Sequence, residues 1–128
     1  MDVETKKNIE NKINNDEICL FMKGNPEMPQ CGFSMAIVNI LKIMNLKFSS
    51  VDVLKDEKIR QGIKEFSDWP TIPQLYVKGE FVGGCDIIKE MFDSGELQKF
   101  FSEKTISFKK WFYLLSIKAI FDPLWAPL

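Results

Sequence analysis

Pro29-Gln30-Cys31-Gly32-Phe33-Ser34 runs directly into Met35, Ile37, Val38, Ile40, Leu41, Ile43 and Met44. These apolar residues recur at i, i+3 and i+4, with Asn39, Lys42 and Asn45 between them. That period predicts an amphipathic helix beginning just after the cysteine. The Cys31 sulfur then sits at a helix N-terminus, where unpaired N–H groups and the macrodipole favour an anion. A cysteine so placed is more acidic, a better nucleophile and a better metal ligand than an ordinary one. A disulfide within the motif would need a second thiol at its fourth position. Ser34 stands there instead, and a hydroxyl cannot close such a bond. Any partner sulfur therefore comes from elsewhere. On these six residues alone, a capping-region cysteine without chemistry is the competing reading.

Before the cysteine, residues 3–14 predict a short, mostly polar helix. Ile18-Cys19-Leu20-Phe21-Met22 is a near-continuous apolar run, as expected of a strand buried on both faces. Cys19 inside it reads as a small core hydrophobe. Lys23-Gly24 ends the strand, and Asn25 to Gln30 reads as a proline-containing loop. Lys23 is either an ordinary solvated lysine or a cation holding an anion beside the sulfur.

Beyond the cysteine helix, Phe48 to Val53 predicts a second strand, parallel to the first through a right-handed crossover. Asp56 to Phe66 predicts a helix with Arg60 and Lys64 four apart on one face, a solvated basic edge or a carboxylate clamp. Pro70 and Pro73 exclude helix from Trp69 to Gln74. Gln74 to Val77 and Glu80 to Gly83 flank Lys78-Gly79, a two-residue hairpin signature. Gly83-Gly84 permits a tight turn and close ligand approach. Asp86 then caps a helix to about Phe92, as a plain N-cap, a ligand group or both. A final short helix spans Glu96 to Phe101. The order of elements implies an α/β fold with a small mixed sheet.

Composition narrows the chemistry. One domain of 128 residues has room for one core, and a net charge of −1 gives no reason to expect nucleic acid. Histidine is absent, which removes every Cys-His or Ser-His catalytic pair and every imidazole metal site. Cys19, Cys31 and Cys85 are too few for a four-thiolate site within one chain and are not spaced as a disulfide framework. Residues 1–17 carry neither a signal-peptide nor a transit-peptide pattern, so a reducing, cytoplasmic location is expected.

From about residue 3 to residue 104 the sequence resembles the monothiol glutaredoxins of the CGFS type. Phe21-Met22-Lys23-Gly24, Pro29 to Ser34, Ile59-Arg60-Gln61, Trp69 to Gln74 and Gly83-Gly84-Cys85-Asp86 carry the resemblance, in that order. It implies a thioredoxin-like fold, with a four-stranded mixed sheet flanked by helices and a cis peptide before Pro73. It also implies a glutathione groove. By position, Lys23 and Arg60 would engage the glycine carboxylate end of glutathione, and the backbone of Ile72 would pair with the tripeptide. Cys85 and Asp86 would hold its γ-glutamyl end. Glutathione carries two carboxylates and one ammonium, so cations at one end and a helix N-terminus with an acid at the other suit it. The resemblance further implies a [2Fe-2S] cluster shared by a homodimer, with Cys31 as each chain's ligand. Two Cys31 sulfurs and two glutathione sulfurs supply the four thiolates such a cluster needs. Cys85 either only shapes its loop or forms a reversible disulfide with Cys31 once the cluster is lost.

The tail departs from this pattern. Residues 105–128 place Phe108, Trp111, Phe112, Leu115 and Ala119 at helical spacing among Lys109, Lys110 and Lys118, and Asp122-Pro123 would end such a helix. It is too short and too charged to span a bilayer. Packing on its own domain, contact with a membrane surface or a partner, and a disordered extension all stand as readings.

Three functions compete. The first is an iron–sulfur carrier that passes its cluster to apo-proteins, with BolA-like proteins as heteromeric partners by resemblance. The second is a glutathione-dependent thiol-disulfide oxidoreductase, whose mechanism needs only one thiolate. The Asn25-Pro26-Glu27-Met28-Pro29 insert counts against it, since CGFS members with this longer loop resemble poor reductases. The third, a pure peptide-binding module, would not need a thiolate at a helix N-terminus.

Overall fold

The computed structural model describes residues 1–104. Helix α1 (Val3–Asn15) is capped by Asp2, whose carboxylate accepts the Thr5 N–H at 2.7 Å. Strand β1 (Ile18–Met22) follows and is buried along its whole length. A small hairpin, β2 (Gly24–Asn25) and β3 (Met28–Pro29), leads to α2 (Gly32–Ile43). Then come β4 (Ser49–Asp52), a 3₁₀ turn, α3 (Glu57–Ser67), β5 (Gln74–Val77), β6 (Glu80–Gly83), α4 (Cys85–Ser94) and α5 (Glu96–Glu103).

The main sheet has the order β4-β1-β5-β6, with β1 and β4 parallel and the other pairs antiparallel. This is the thioredoxin-like arrangement expected from the sequence, including a cis peptide between Ile72 and Pro73. Alternation along β1 explains its unbroken apolar run. Ile18, Leu20 and Met22 join a core cluster with Ile37, Val38 and Leu41 of α2, Ile88 of α4, and Leu97 and Phe101 of α5. Cys19 and Phe21 point to the opposite cluster, with Ile9 and Ile13 of α1, and Ile59 and Ile63 of α3. A central strand covered by helices on both faces has no side left for polar residues. Cys19 is wholly buried in this core, and burial pushes its thiol up.

Two local expectations need correction. Asn25 to Gln30 is not an irregular loop but the β2–β3 hairpin. The Asn25 carboxamide oxygen accepts the N–H groups of Glu27 and Met28 at 3.0 and 2.8 Å, and that side-chain turn reverses the chain. Nor does Asp86 cap α4. The cap is Gly84, in extended backbone and without a side chain to contribute, and α4 begins at Cys85. Asp86 instead lies in the first turn, where a carboxylate still meets the positive end of the helix dipole. Not every periodic apolar residue of α2 is core: Met35 and Ile43 are exposed. The apolar and basic tail, residues 105–128, lies outside the described residues.

Candidate functional site

Cys31 is the N-cap of α2, with φ −154° and ψ 136°. Its extended backbone aims the side chain at the N–H groups of the first turn. Burial opposes ionisation of the thiol. The Ser34 and Phe33 backbone N–H groups, the Lys23 ammonium and the Ser34 hydroxyl outweigh it, so Cys31 is held below the ordinary thiol range. Cys85 responds the other way. Burial and the neighbouring Asp86 carboxylate push its thiol up, and Cys31 adds to the same effect. Of the two thiols at the site, Cys31 is therefore the more acidic and the better nucleophile.

Both cysteines line a cleft of about 420 Å³. One wall is the Trp69–Pro73 segment between α3 and β5, and another is the start of α4 with Asp86 and Ile87. Lys23 enters from the end of β1. Of the six residues singled out from the sequence, the cleft brings together Lys23, Cys31, Ile72, Cys85 and Asp86. Arg60 is not among the residues lining it; Lys64, one turn further along α3, is. The Arg60 guanidinium lies 3.9 Å from Glu57, half-buried, and its Nε has no hydrogen-bond partner among the described residues. Lys64 belongs to the α3 layer on one face of the sheet and Asp86 to the α4 layer on the other. The cleft thus offers cations and an acid from separate walls, together with the Cys31 sulfur.

The Trp69–Pro73 wall is fastened by a residue whose role the sequence did not announce. Gln74 is fully buried, and its amide donates to the carbonyls of Trp69 and Thr71, both at 3.2 Å. Its oxygen accepts the Tyr76 hydroxyl at 3.1 Å. Burial pushes the Tyr76 phenol up to about 12, so it remains a donor across the physiological range. A glutamine inside the apolar run Gln74-Leu75-Tyr76-Val77 was the available signal, because a buried amide requires partners.

Sheet order, the cis-Pro wall and an acidified cysteine at a helix N-terminus, with serine in place of a second motif cysteine, define a thioredoxin-like protein of the monothiol kind. The glutaredoxin family model matches residues 18–82. A probable monothiol glutaredoxin of Rickettsia typhi is 50% identical over 105 residues, covering 82% of this chain and 95% of that one. A monothiol glutaredoxin of Porphyra purpurea is 56% identical over 98 residues, covering 77% and 92%. Among solved structures, a monomeric truncated mutant of the Trypanosoma brucei monothiol glutaredoxin 1-C-Grx1 superposes with a TM-score of 0.75 at 42% identity, over 81% of this chain and 94% of that one. Reduced apo GrxS14 of poplar gives 0.69 at 50% identity, over 77% and 90%. The chain belongs to the monothiol glutaredoxin family.

Proposed function

We propose that this chain binds glutathione in the Cys31 cleft and, as a homodimer, holds a [2Fe-2S] cluster that it passes to apo-proteins. The observation that carries this reading is the pairing of one accessible, acidified sulfur with a cleft that offers cations and an acid to a peptide of two carboxylates and one ammonium. Among the described residues no three Cys, Asp or Glu side chains come together as a metal site. In this reading a cluster ligated by four thiolates takes Cys31 from each of two copies and one glutathione sulfur from each cleft. A cargo held half by a diffusible ligand leaves readily, which suits transfer. BolA-like proteins fit as alternative partners in place of a second copy. A reducing compartment such as the cytoplasm keeps Cys31 available.

Anaerobic reconstitution with iron and sulfide, with and without glutathione, tests this. A thiolate-to-iron charge-transfer spectrum with dimer elution, only when glutathione is present, is expected. A colourless monomer under both conditions would remove the carrier reading.

The cleft also suggests which helix α3 cation meets glutathione. Lys23, Lys64, Asp86 and the Ile72 and Cys85 backbones are the contacts we assign. Lys64→Gln should weaken binding of S-methylglutathione about tenfold, the loss of one charge-assisted hydrogen bond. Arg60→Gln should cost less than half of that free energy. Calorimetry on the two variants checks the order, and a larger loss for Arg60 would restore it to the clamp.

An oxidoreductase reading has its own support, because Cys31 carries an acidified thiol that lines the cleft. Its sulfur would attack the glutathione sulfur of a mixed disulfide and release the protein thiolate. A second glutathione thiolate would then free Cys31 and leave as oxidised glutathione. The β2–β3 hairpin, which stands in the chain directly before Cys31, is the structural form of the insert that argues for a slow reductase.

A further inference from the structure

A lysine just past a strand end ordinarily has a loose backbone and a wandering side chain. Lys23 does not have a loose backbone. Its N–H donates to Ser34 Oγ at 3.1 Å, and its carbonyl accepts the Gln30 N–H at 2.9 Å. The next N–H, that of Gly24, donates to Asp52 Oδ1 at 3.0 Å. The two side-chain acceptors come from different elements, the first turn of α2 and the end of β4. Ser34 is wholly buried. Asp52 Oδ1 is itself held by the Leu54 N–H at 2.9 Å. The fold therefore grips the two peptide groups that flank the Lys23 Cα from three directions, 11 and 28 residues away in the two side-chain cases. Its side chain is the one that enters the cleft from β1.

We propose that Ser34 and Asp52 are positioning residues for Lys23, holding its backbone so that the ammonium meets a ligand carboxylate in the cleft. The serine of the motif is then not merely a missing second thiol. It is a hydroxyl whose lone pair fixes the cation next to the sulfur. An alanine or a cysteine there would leave the Lys23 N–H without its oxygen acceptor. The inference rests on the glutathione reading for the identity of the carboxylate.

The sign of the Asp52 effect makes it testable. Removing a carboxylate close to Lys23 would by Coulomb attraction alone strengthen binding of an anion. Loss of positioning weakens it. Calorimetry on the full chain with S-methylglutathione is the measurement, with an analogue amidated at the glycine carboxylate as control. Asp52→Ala and Ser34→Ala are each expected to lose about fivefold in affinity, part of a charge-assisted hydrogen bond. Asp52→Asn keeps an acceptor for the Gly24 N–H and is expected to bind at least as well as the native chain. In a Lys23→Gln background, Asp52→Ala should cost almost nothing further, because the group it positions is gone. The loss should also vanish with the amidated analogue. Unchanged or tighter binding by Asp52→Ala, or a loss that simply adds to that of Lys23→Gln, overturns the proposal. If Ser34→Ala fails to fold, the Asp52 pair decides alone. No binding by the native chain would remove the glutathione reading and this inference together, whereas native binding with an inert Asp52 removes only the inference.

Discussion

Cys31→Ser is expected to abolish cluster assembly completely while leaving the fold intact. Serine is among the preferred N-cap residues, and its hydroxyl accepts from the same first-turn N–H groups that face the Cys31 sulfur. The thermal midpoint should therefore stay within a few degrees, on either side of the native value. The chemistry does not survive, because a serine hydroxyl does not ionise at neutral pH and offers iron no thiolate. Losing one ligand per chain removes half of the four. Cys85→Ser should largely spare the cluster. The Cys85 thiol is pushed up by burial and by Asp86, which leaves it a poor ligand beside the acidified Cys31. Iron and sulfide analysis after reconstitution, with the visible spectrum, separates the two variants. Equal iron loss in both would overturn the assignment of Cys31 as the chain's ligand.

Gly24→Ala should produce a large loss of stability for a single added methyl, because its Cβ would make a very close approach to backbone atoms. Gly24 has φ +87°, a conformation that costs a residue with a Cβ about 1–3 kcal/mol. Space is a second and separate obstacle. A Cβ there would stand 2.6 Å from the Met28 carbonyl oxygen and 2.7 Å from the Gln30 nitrogen. Both are backbone atoms, so neither can swing aside. Relief requires the β2–β3 hairpin to open, which would also pull on the Gly24 N–H held by Asp52 and on the Gln30 N–H held by Lys23. A destabilisation of about 3 kcal/mol is expected in urea denaturation, from strain and displaced hydrogen bonds together. The same opening should misplace Cys31, one residue beyond Gln30, and slow its alkylation by iodoacetamide at pH 7. A stability change under about 0.5 kcal/mol, the range of ordinary surface substitutions, would show that the hairpin yields freely.

Much of this molecule is legible along the chain because the signals are local. Ile18 to Met22 announces a strand covered on both faces. The period from Ile37 to Met44 announces α2, and with it the place of Cys31 at a helix N-terminus. Lys78-Gly79 between two apolar runs announces the β5–β6 hairpin, and both residues take positive φ. Each of these rests on neighbours within a few positions, where period and turn chemistry act. The five motif blocks extended that reading to the cis-Pro wall and the cleft.

What tertiary structure alone decided is which partner each polar group meets. Residues four apart on a helix differ by only about 40° in direction, so the sequence could place Arg60 and Lys64 on one face but not say which reaches the cleft. Packing of α3 against the sheet chose Lys64. Asp86 looked like a cap because its type suits one, yet Gly84, in extended backbone, takes that place and lets the helix begin two residues earlier. Ser34, Asp52 and Gln74 carry nothing in their immediate neighbours to reveal what they hold. Their hydrogen bonds depend on elements that folding brings together, β1 with α2, β4 with the hairpin, and β5 with the loop before it. Sequence determined where the sulfur stands and what kind of fold surrounds it. The choice of the groups that face it was left to packing, because a hydrogen bond is satisfied by distance in space and not by distance along the chain.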